Sequence, residues 1–330
     1  MSDTRALTCR LPARLHFGLL DMNGSHGRVD GGIGLAIQEP ASVIKVAWSD
    51  DLDVCPGNLD NRLRERMAAG LAAVRKDFGL PGAKVEVLAR PGAHSGFGSS
   101  TQLLVGAARA LCLLAGYAVP ASDLALRMQR GGTSGIGTAV MDGGGFVLDG
   151  GHRFRRSPRS KQEFEPSGAA AAPPPPVLMQ EPFPENWEIL IAQPPGLDIS
   201  GKQELALFHQ VCPVPDQEVD AMCRLLLTRI VPAVLEEDLD EFCNGLEAYQ
   251  RLGFKVAEVR TQLPVVQECM DRLRALDAQG VGMSSWGPVV FSFGRDLAPL
   301  KNDLDPWLTA RGGRPSFITR ADNHGCRVLL

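Results

Sequence analysis

Pro91-Gly92-Ala93-His94-Ser95-Gly96-Phe97-Gly98-Ser99-Ser100-Thr101-Gln102 runs straight into an apolar stretch of helical character, residues 103–115. Glycine permits the tight turn and close backbone approach such a loop needs. The amides at the following helix start face outward, and the helix dipole favours an anion there. Ser99, Ser100 and Thr101 add hydroxyls that suit phosphate oxygens or a metal. The segment reads as a phosphate cradle at the head of a helix. A turn that merely caps a helix has the same composition, so the decision falls to the rest of the chain.

At 330 residues the chain exceeds the size at which one core usually keeps growing, which predicts two domains. The hydrophobic fraction, 44%, suffices for ordinary globular cores. A net charge of −4 gives no electrostatic case for nucleic acid or an anionic membrane. The densest basic group, Arg153, Arg155, Arg156, Arg159 and Lys161, adjoins a connector and reads as a solvated face. No signal-peptide-like apolar region follows Met1, and residues 103–114 are too short to span a bilayer and carry Arg109. Eight cysteines without a Cys-x-x-Cys pair read as reduced, mostly buried thiols, hence a cytoplasmic protein.

Alternation predicts strands in residues 5–18, 33–48, 84–88 and 145–149. Apolar Leu63, Met67, Leu71, Val74 and Phe78 predict a helix over 61–78, and Ser122 a helix N-cap for 122–130. Residues 157–184, with the run 173–176 of prolines, predict a loop or extended connector. Beyond it, strands are expected at 187–192, 289–293 and 315–319, and helices at 203–210, 219–231, 239–252, 265–278 and 297–309. Mixed elements in both halves indicate an α+β class. The division is a first domain over 1–156, a Pro/Ala-rich connector over 157–185 and a second domain over 186–330.

Three further segments carry chemistry. Arg14-Leu15-His16-Phe17-Gly18-Leu19-Leu20-Asp21 is followed by Gly27-Arg28-Val29-Asp30-Gly31-Gly32. Gly131-Gly132-Thr133-Ser134-Gly135-Ile136-Gly137-Thr138 lies midway, and Gly280-Val281-Gly282-Met283-Ser284-Ser285-Trp286-Gly287-Pro288 near the end. In this order, with the Gly/Ser loop second, the chain resembles the GHMP kinase superfamily over almost its whole length. The resemblance implies an α+β, GHMP-kinase-like two-domain fold: an N-terminal domain like domain 2 of ribosomal protein S5 and a ferredoxin-like α/β C-terminal domain. Two departures narrow it. Mevalonate-type kinases place an aspartate where this chain has Gly137, and glycine cannot serve as a general base. Ser284-Ser285-Trp286-Gly287-Pro288 replaces a run of small residues. Together with Gly145-Phe146-Val147-Leu148-Asp149-Gly150-Gly151-His152, these features resemble the beta-ribofuranosylaminobenzene 5'-phosphate synthase branch.

That resemblance implies condensation of an aromatic acid, 4-aminobenzoate or 4-hydroxybenzoate, with phosphoribosyl pyrophosphate (PRPP), releasing pyrophosphate and carbon dioxide on a route to tetrahydromethanopterin. The displaced group on the ring carbon is carbon dioxide rather than a proton, so the attacking atom needs no general base. The expected tasks are orientation and charge stabilisation. In this reading Arg14, Gly96, Phe97, Gly98, Ser99, Ser100 and Thr101 bind phosphate, and Ser134, Gly135, Ser285, Trp286 and Gly287 line the acceptor side. Arg28, Asp30 and His16 carry the catalysis. Mg²⁺ is expected, with Ser99 and Asp142 (Asp149 as a further carboxylate) as candidate ligands and no organic cofactor. Gly196, Ser200, Gly201 and Glu204 read mainly as a helix start, with Ser200 as N-cap. A homodimer is a family-level expectation. The residues leave two alternatives open: an ATP-dependent GHMP small-molecule kinase, and a non-catalytic sensor or interaction protein.

Overall fold

The computed structural model describes residues 6–92, 96–158, 160–166 and 172–329. Ala93, His94 and Ser95 of the Gly/Ser loop, Arg159 and the start of the alanine run of the connector lie outside them.

Strands β1 (Ala6–Asp21) and β2 (Arg28–Trp48) form one long antiparallel ribbon with irregularities between Pro12 and Ala13 and between His16 and Gly18. Such bulges bend a strand and re-aim its side chains. The short β3 (Asp53–Val54) precedes helix α1 (Asn61–Phe78), which spans the residues its apolar spacing predicts. Asp60 caps α1, and Gly79 ends it in the left-handed conformation. Then come β4 (Ala83–Ala89), α2 (Ser99–Leu114), α3 (Ala121–Ala125), α4 (Ile136–Gly143), β5 (Phe146–Asp149) and β6 (His152–Arg153). The C-terminal half of β2 pairs with β4 and its N-terminal half with β5. Helices α1, α2 and α3 cover one part of this sheet over Leu11, Ile44, Val46, Leu71, Leu104 and Leu111.

The second half contains β7 (Val177–Glu181), β8 (Glu188–Gln193), α5 (Gly201–Val211) and α6 (Asp216–Leu225), the last continued through a π turn at Leu226–Ile230 into α7 (Val231–Leu235). Helices α8 (Leu239–Tyr249), α9 (Gly253–Thr261) and α10 (Pro264–Ala275) follow. The chain closes with β9 (Gln279–Met283), β10 (Val290–Gly294), α11 (Ala298–Thr309), β11 (Arg314–Thr319) and β12 (Arg327–Leu329). The second sheet has the order β11-β8-β10-β9. An aromatic core joins the halves: Phe17 and Phe146 of the first sheet pack with Phe242, Phe291 and Phe293 of the second half.

Four sequence expectations need correction. The helix predicted over 122–130 stops at Ala125, because Gln129 enters the left-handed region, and its start is capped by Asp142 rather than Ser122. The connector is not all loop: β7 pairs with β5, since Leu148 and its neighbours leave a strand edge to be covered. The region 253–261, unassigned in the sequence, is helix α9. Finally, β12 returns to the first sheet beside β1, which a short terminal run of Arg-Val-Leu does not reveal locally. Among the described residues no helix is long and apolar enough to cross a membrane.

Candidate active site

Three segments remote in sequence meet around Arg14 and His16. Arg14 donates from N–H to the Phe97 carbonyl (3.1 Å) and from its guanidinium to the Gly96 carbonyl (2.6 Å). The Ser284 hydroxyl also donates to Gly96 O (2.7 Å) and receives the His16 N–H (3.0 Å), while Ser285 N–H donates to His16 O (2.9 Å). The Gly/Ser loop and the 284–287 turn therefore touch each other and are both tied to β1. Two glycines make this possible. A Cβ on Gly96 would lie 2.7 Å from the Ser284 carbonyl, and one on Gly98 2.9 Å from the Arg14 guanidinium; both residues have positive φ.

Gly98 precedes α2, and no side chain caps that helix end. Its first amides, with Ser99 and Ser100, open into a cleft of about 480 Å³. Five basic side chains line it: Arg14 of β1, Arg62 and Arg66 of α1, Arg130, and Lys202 of α5. Asp60, Glu204 and Glu258 are its carboxylates. Desolvation, with mutual repulsion among the arginines, lowers Arg14 and Arg130 to about 10, which leaves both charged at neutral pH. Arg130 donates twice to the Thr101 hydroxyl (2.8 and 2.6 Å), so Thr101 orients a cation rather than presenting a free donor. An uncapped helix start surrounded by cations has the charge and donors to accept an anion.

His16 is buried, and burial, reinforced by Arg14 and Lys255, holds its pKa well below the usual imidazole value. It is neutral at pH 7. Its Nε2 meets the Ser134 hydroxyl at 3.1 Å, and among the described residues its Nδ1 has no partner. Ser134 sits at the head of α4, where Gly135 N–H donates to Asp149 (2.9 Å). Asp149 also accepts from Gly151 N–H (3.0 Å), and burial lifts its carboxyl to about 7.

The expected residues thus divide. Arg14, His16, Gly96, Gly98, Ser99, Ser100, Thr101, Ser134, Ser285, Trp286 and Gly287 all line the cleft. The Phe97 side chain is a core residue, so only its backbone belongs to the loop. Gly135 reaches the site through its bond to Asp149. Asp30 and Arg28 do not line the cleft, and their bonding explains why. Asp30 is fully buried with its two oxygens on Lys161 Nζ (2.9 and 3.0 Å) and His152 Nδ1 (2.6 Å). Arg28 donates to the Gly150 and Gly151 carbonyls (2.8 and 2.6 Å). Asp30 therefore braces the wall behind the cleft, because Lys161 also reaches Thr133, a lining residue, while Arg28 ties down the 150–151 turn. Asp142 pairs with Arg109 and caps α3, away from the cleft, so its carboxylate is committed elsewhere. Ser200 occupies the α5 N-cap position without a side-chain cap bond, and Gly196 packs against Pro288.

Glu204 is the residue whose importance the sequence understated. Its carboxylate lines the cleft, accepts from Trp286 Nε1 (3.0 Å), and is raised to about 7 by burial, against Trp286 and Arg130, which lower it. Trp286 is mostly buried, packed edge-on to Phe254 (5.5 Å, 80°). Arg62, Arg66, Arg130 and Lys202 were also absent from the expected set. Arg130 abuts Gly131-Gly132, the one local hint; the others become legible only when α1 and α5 face the loop.

The chain matches the family model described as GHMP kinases N terminal domain over residues 65–150 and the GHMP kinases C terminal model over 230–312. It is 39% identical over 324 residues (98% of this chain, 99% of the relative) to a protein of Archaeoglobus fulgidus named beta-ribofuranosylphenol 5'-phosphate synthase. Proteins of the same name from Methanothermobacter thermautotrophicus and Methanocaldococcus jannaschii are 38% and 35% identical, over 87% and 96% of this chain and 88% and 98% of theirs. In fold it is similar to homoserine kinase from Cytophaga hutchinsonii (TM-score 0.70, 16% identity, 100% and 99% of the two chains). It is also similar to mevalonate diphosphate decarboxylase from Enterococcus faecalis (0.61, 16%, 98% of each).

Proposed function

The chain belongs to the beta-ribofuranosylphenol 5'-phosphate synthase family, within the GHMP kinase fold, and from that premise we propose that it is a decarboxylating ribosylphosphate transferase. It joins 4-hydroxybenzoate or 4-aminobenzoate to PRPP and releases carbon dioxide and pyrophosphate. The observation that carries the reading is a cleft with five basic side chains around an uncapped helix start, where Gly137 leaves the kinase-type carboxylate out. A Cβ at Gly137 would already lie 3.2 Å from Thr101, so the position has little room for one.

In this mechanism the amides of 98–100 with Arg14 and Arg130 hold the diphosphate and stabilise the charge it gains on leaving. Arg62, Arg66 and Lys202 offer cations for the 5'-phosphate at the mouth. Neutral His16 and Ser134 face the ribose and carboxylate side. The apolar wall, including Leu19, Ile199 and Trp286, holds the ring so that its carboxylated carbon meets the anomeric carbon. Attack opposite the leaving group inverts the centre, alpha donor to beta product. Ser99 and Ser100, hard oxygen donors lining the cleft, would hold Mg²⁺, which when bound would supply charge neutralisation for the diphosphate.

The test is direct: with Mg²⁺, PRPP and either carboxyl-labelled acid, labelled carbon dioxide and pyrophosphate are released in equal amounts. Absence of release from both acids by folded protein refutes the reading. The kinase alternative keeps one supporting observation, the Glu204 carboxylate in the cleft, and predicts ATP consumption without an aromatic acid.

A further inference from the structure

We propose that Glu204 recognises the para substituent of the aromatic acid and takes the proton from it when that substituent is a hydroxyl. This rests on the ribosyl-transfer reading of the same cleft. The ring carbon that attacks must face the ribose, and so the end built from the Gly/Ser loop, Arg14 and Arg130. The para position lies across the ring from the anomeric carbon, and Glu204 on α5, held by Trp286, is the cleft carboxylate with an oxygen left to meet it. Glu204, Leu205 and Phe208 present themselves to the cleft from one side of α5. Trp286 Nε1 holds the carboxylate through Oε1, Arg130 acts on it by charge, and no hydrogen bond among the described residues engages Oε2. The other carboxylates of the cleft are committed: Asp60 caps α1 through Leu63 N–H (2.8 Å), and Glu258 is paired with Lys255.

The proton has a reason to move. The phenol O–H proton passes to Glu204 Oε2, and the oxygen's electron pair shifts into the ring. The ring carbon bearing the carboxylate bonds to the anomeric carbon while the bond from that carbon to pyrophosphate breaks, its pair leaving with pyrophosphate. The ring–carboxylate bond then breaks, its pair restores aromaticity, and carbon dioxide departs. Glu204 returns the proton to the product oxygen, so none is consumed. An amino group supplies its lone pair without losing a proton; there Glu204 only accepts an N–H bond. A base serves best when its pKa lies near the working pH, and burial has moved this carboxyl to about 7.

The experiment compares wild type, Glu204→Gln and Glu204→Asp with each acid between about pH 5.5 and 8.5, reading carbon dioxide release. With 4-hydroxybenzoate, wild-type kcat/KM rises with pH through about 7. Glu204→Gln, which can still accept from Trp286, loses that limb and at least about 100-fold in rate. Glu204→Asp keeps the limb at reduced rate. With 4-aminobenzoate the limb is absent and Glu204→Gln loses less than about tenfold, the scale of one hydrogen bond. Equal losses with both acids, or a limb that falls with pH, place Glu204 at the pyrophosphate end and overturn the proposal. So does a rising limb that survives Glu204→Gln, or wild type active on the amine alone. Wild type silent on both acids instead refutes ribosyl transfer itself.

Discussion

Replacing Asp30 by asparagine removes one charge from a buried cluster and leaves the other members in place. Asp30 has 0% side-chain exposure and Lys161 2%, with Nζ 2.9 and 3.0 Å from the two carboxylate oxygens. His152 lies 2.6 Å away and bridges onward to the Gly131 and Pro173 carbonyls. In Asp30→Asn the Lys161 ammonium stays buried beside a neutral amide. Breaking one partner of such a pair costs about 3–5 kcal/mol. At roughly 2 °C per kcal/mol for a chain of this size, the expected drop in Tm is about 6–10 °C. Lys161→Met should cost a comparable amount, since it leaves the buried Asp30 carboxylate with only His152 beside it, and the double variant should fall well short of additivity. The assay is thermal unfolding of all four proteins, with carbon dioxide release measured at a temperature where each is folded. Folded Asp30→Asn should keep turnover within about tenfold of wild type, because Asp30 braces the Thr133 wall through Lys161 and lines no part of the cleft. A Tm within about 2 °C of wild type would refute the buried-pair argument. A 100-fold or greater loss in the folded variant would return Asp30 to the reacting atoms.

Other perturbations have equally definite outcomes. Arg130→Met should raise KM for PRPP about tenfold or more while leaving KM for the aromatic acid nearly unchanged, as steady-state kinetics with each substrate varied will show. Gly96→Ala combines a strained φ of 87° with a Cβ 2.7 Å from the Ser284 carbonyl; it should cost about 1–3 kcal/mol by denaturant unfolding and most of the activity. His16 has a folded pKa held below its unfolded value. The unfolded chain therefore binds the proton first, and the His16 contribution is present above the unfolded pKa, about 6.5, and lost as pH falls below it. Chemical denaturation at several pH values should show a smaller acid loss in His16→Asn than in wild type.

The legible features were those written in local spacing. Helix α1 was readable because five apolar residues recur at helical intervals between Asp60 and Gly79. The Gly/Ser loop, the Ser134 and Ser285 segments and Arg14, which line one cleft, were readable because glycine and hydroxyl residues cluster there in the sequence. Asp30 was misplaced for a specific reason. An Asp-Gly pair in a glycine-rich segment looks the same whether its carboxylate faces substrate or Lys161, which lies 131 residues further along the chain. Asp142 likewise reads as a spare carboxylate until α3 is found resting its start on it.

From residue order alone came the fold class, through the mixed elements and the resemblance its ordered glycine-rich segments carry, and the absence of a carboxylate at Gly137, because each is written in which residue stands where. Which charges stand in the cleft was settled only by tertiary structure. Arg66, Arg130, Lys202 and Glu204 come from three separate parts of the chain, and only packing of α1 and α5 against the loop brings them to one space. Burial then fixes their chemistry: the same packing that excludes water raises Glu204, lowers His16, and confines Asp30 to holding the wall.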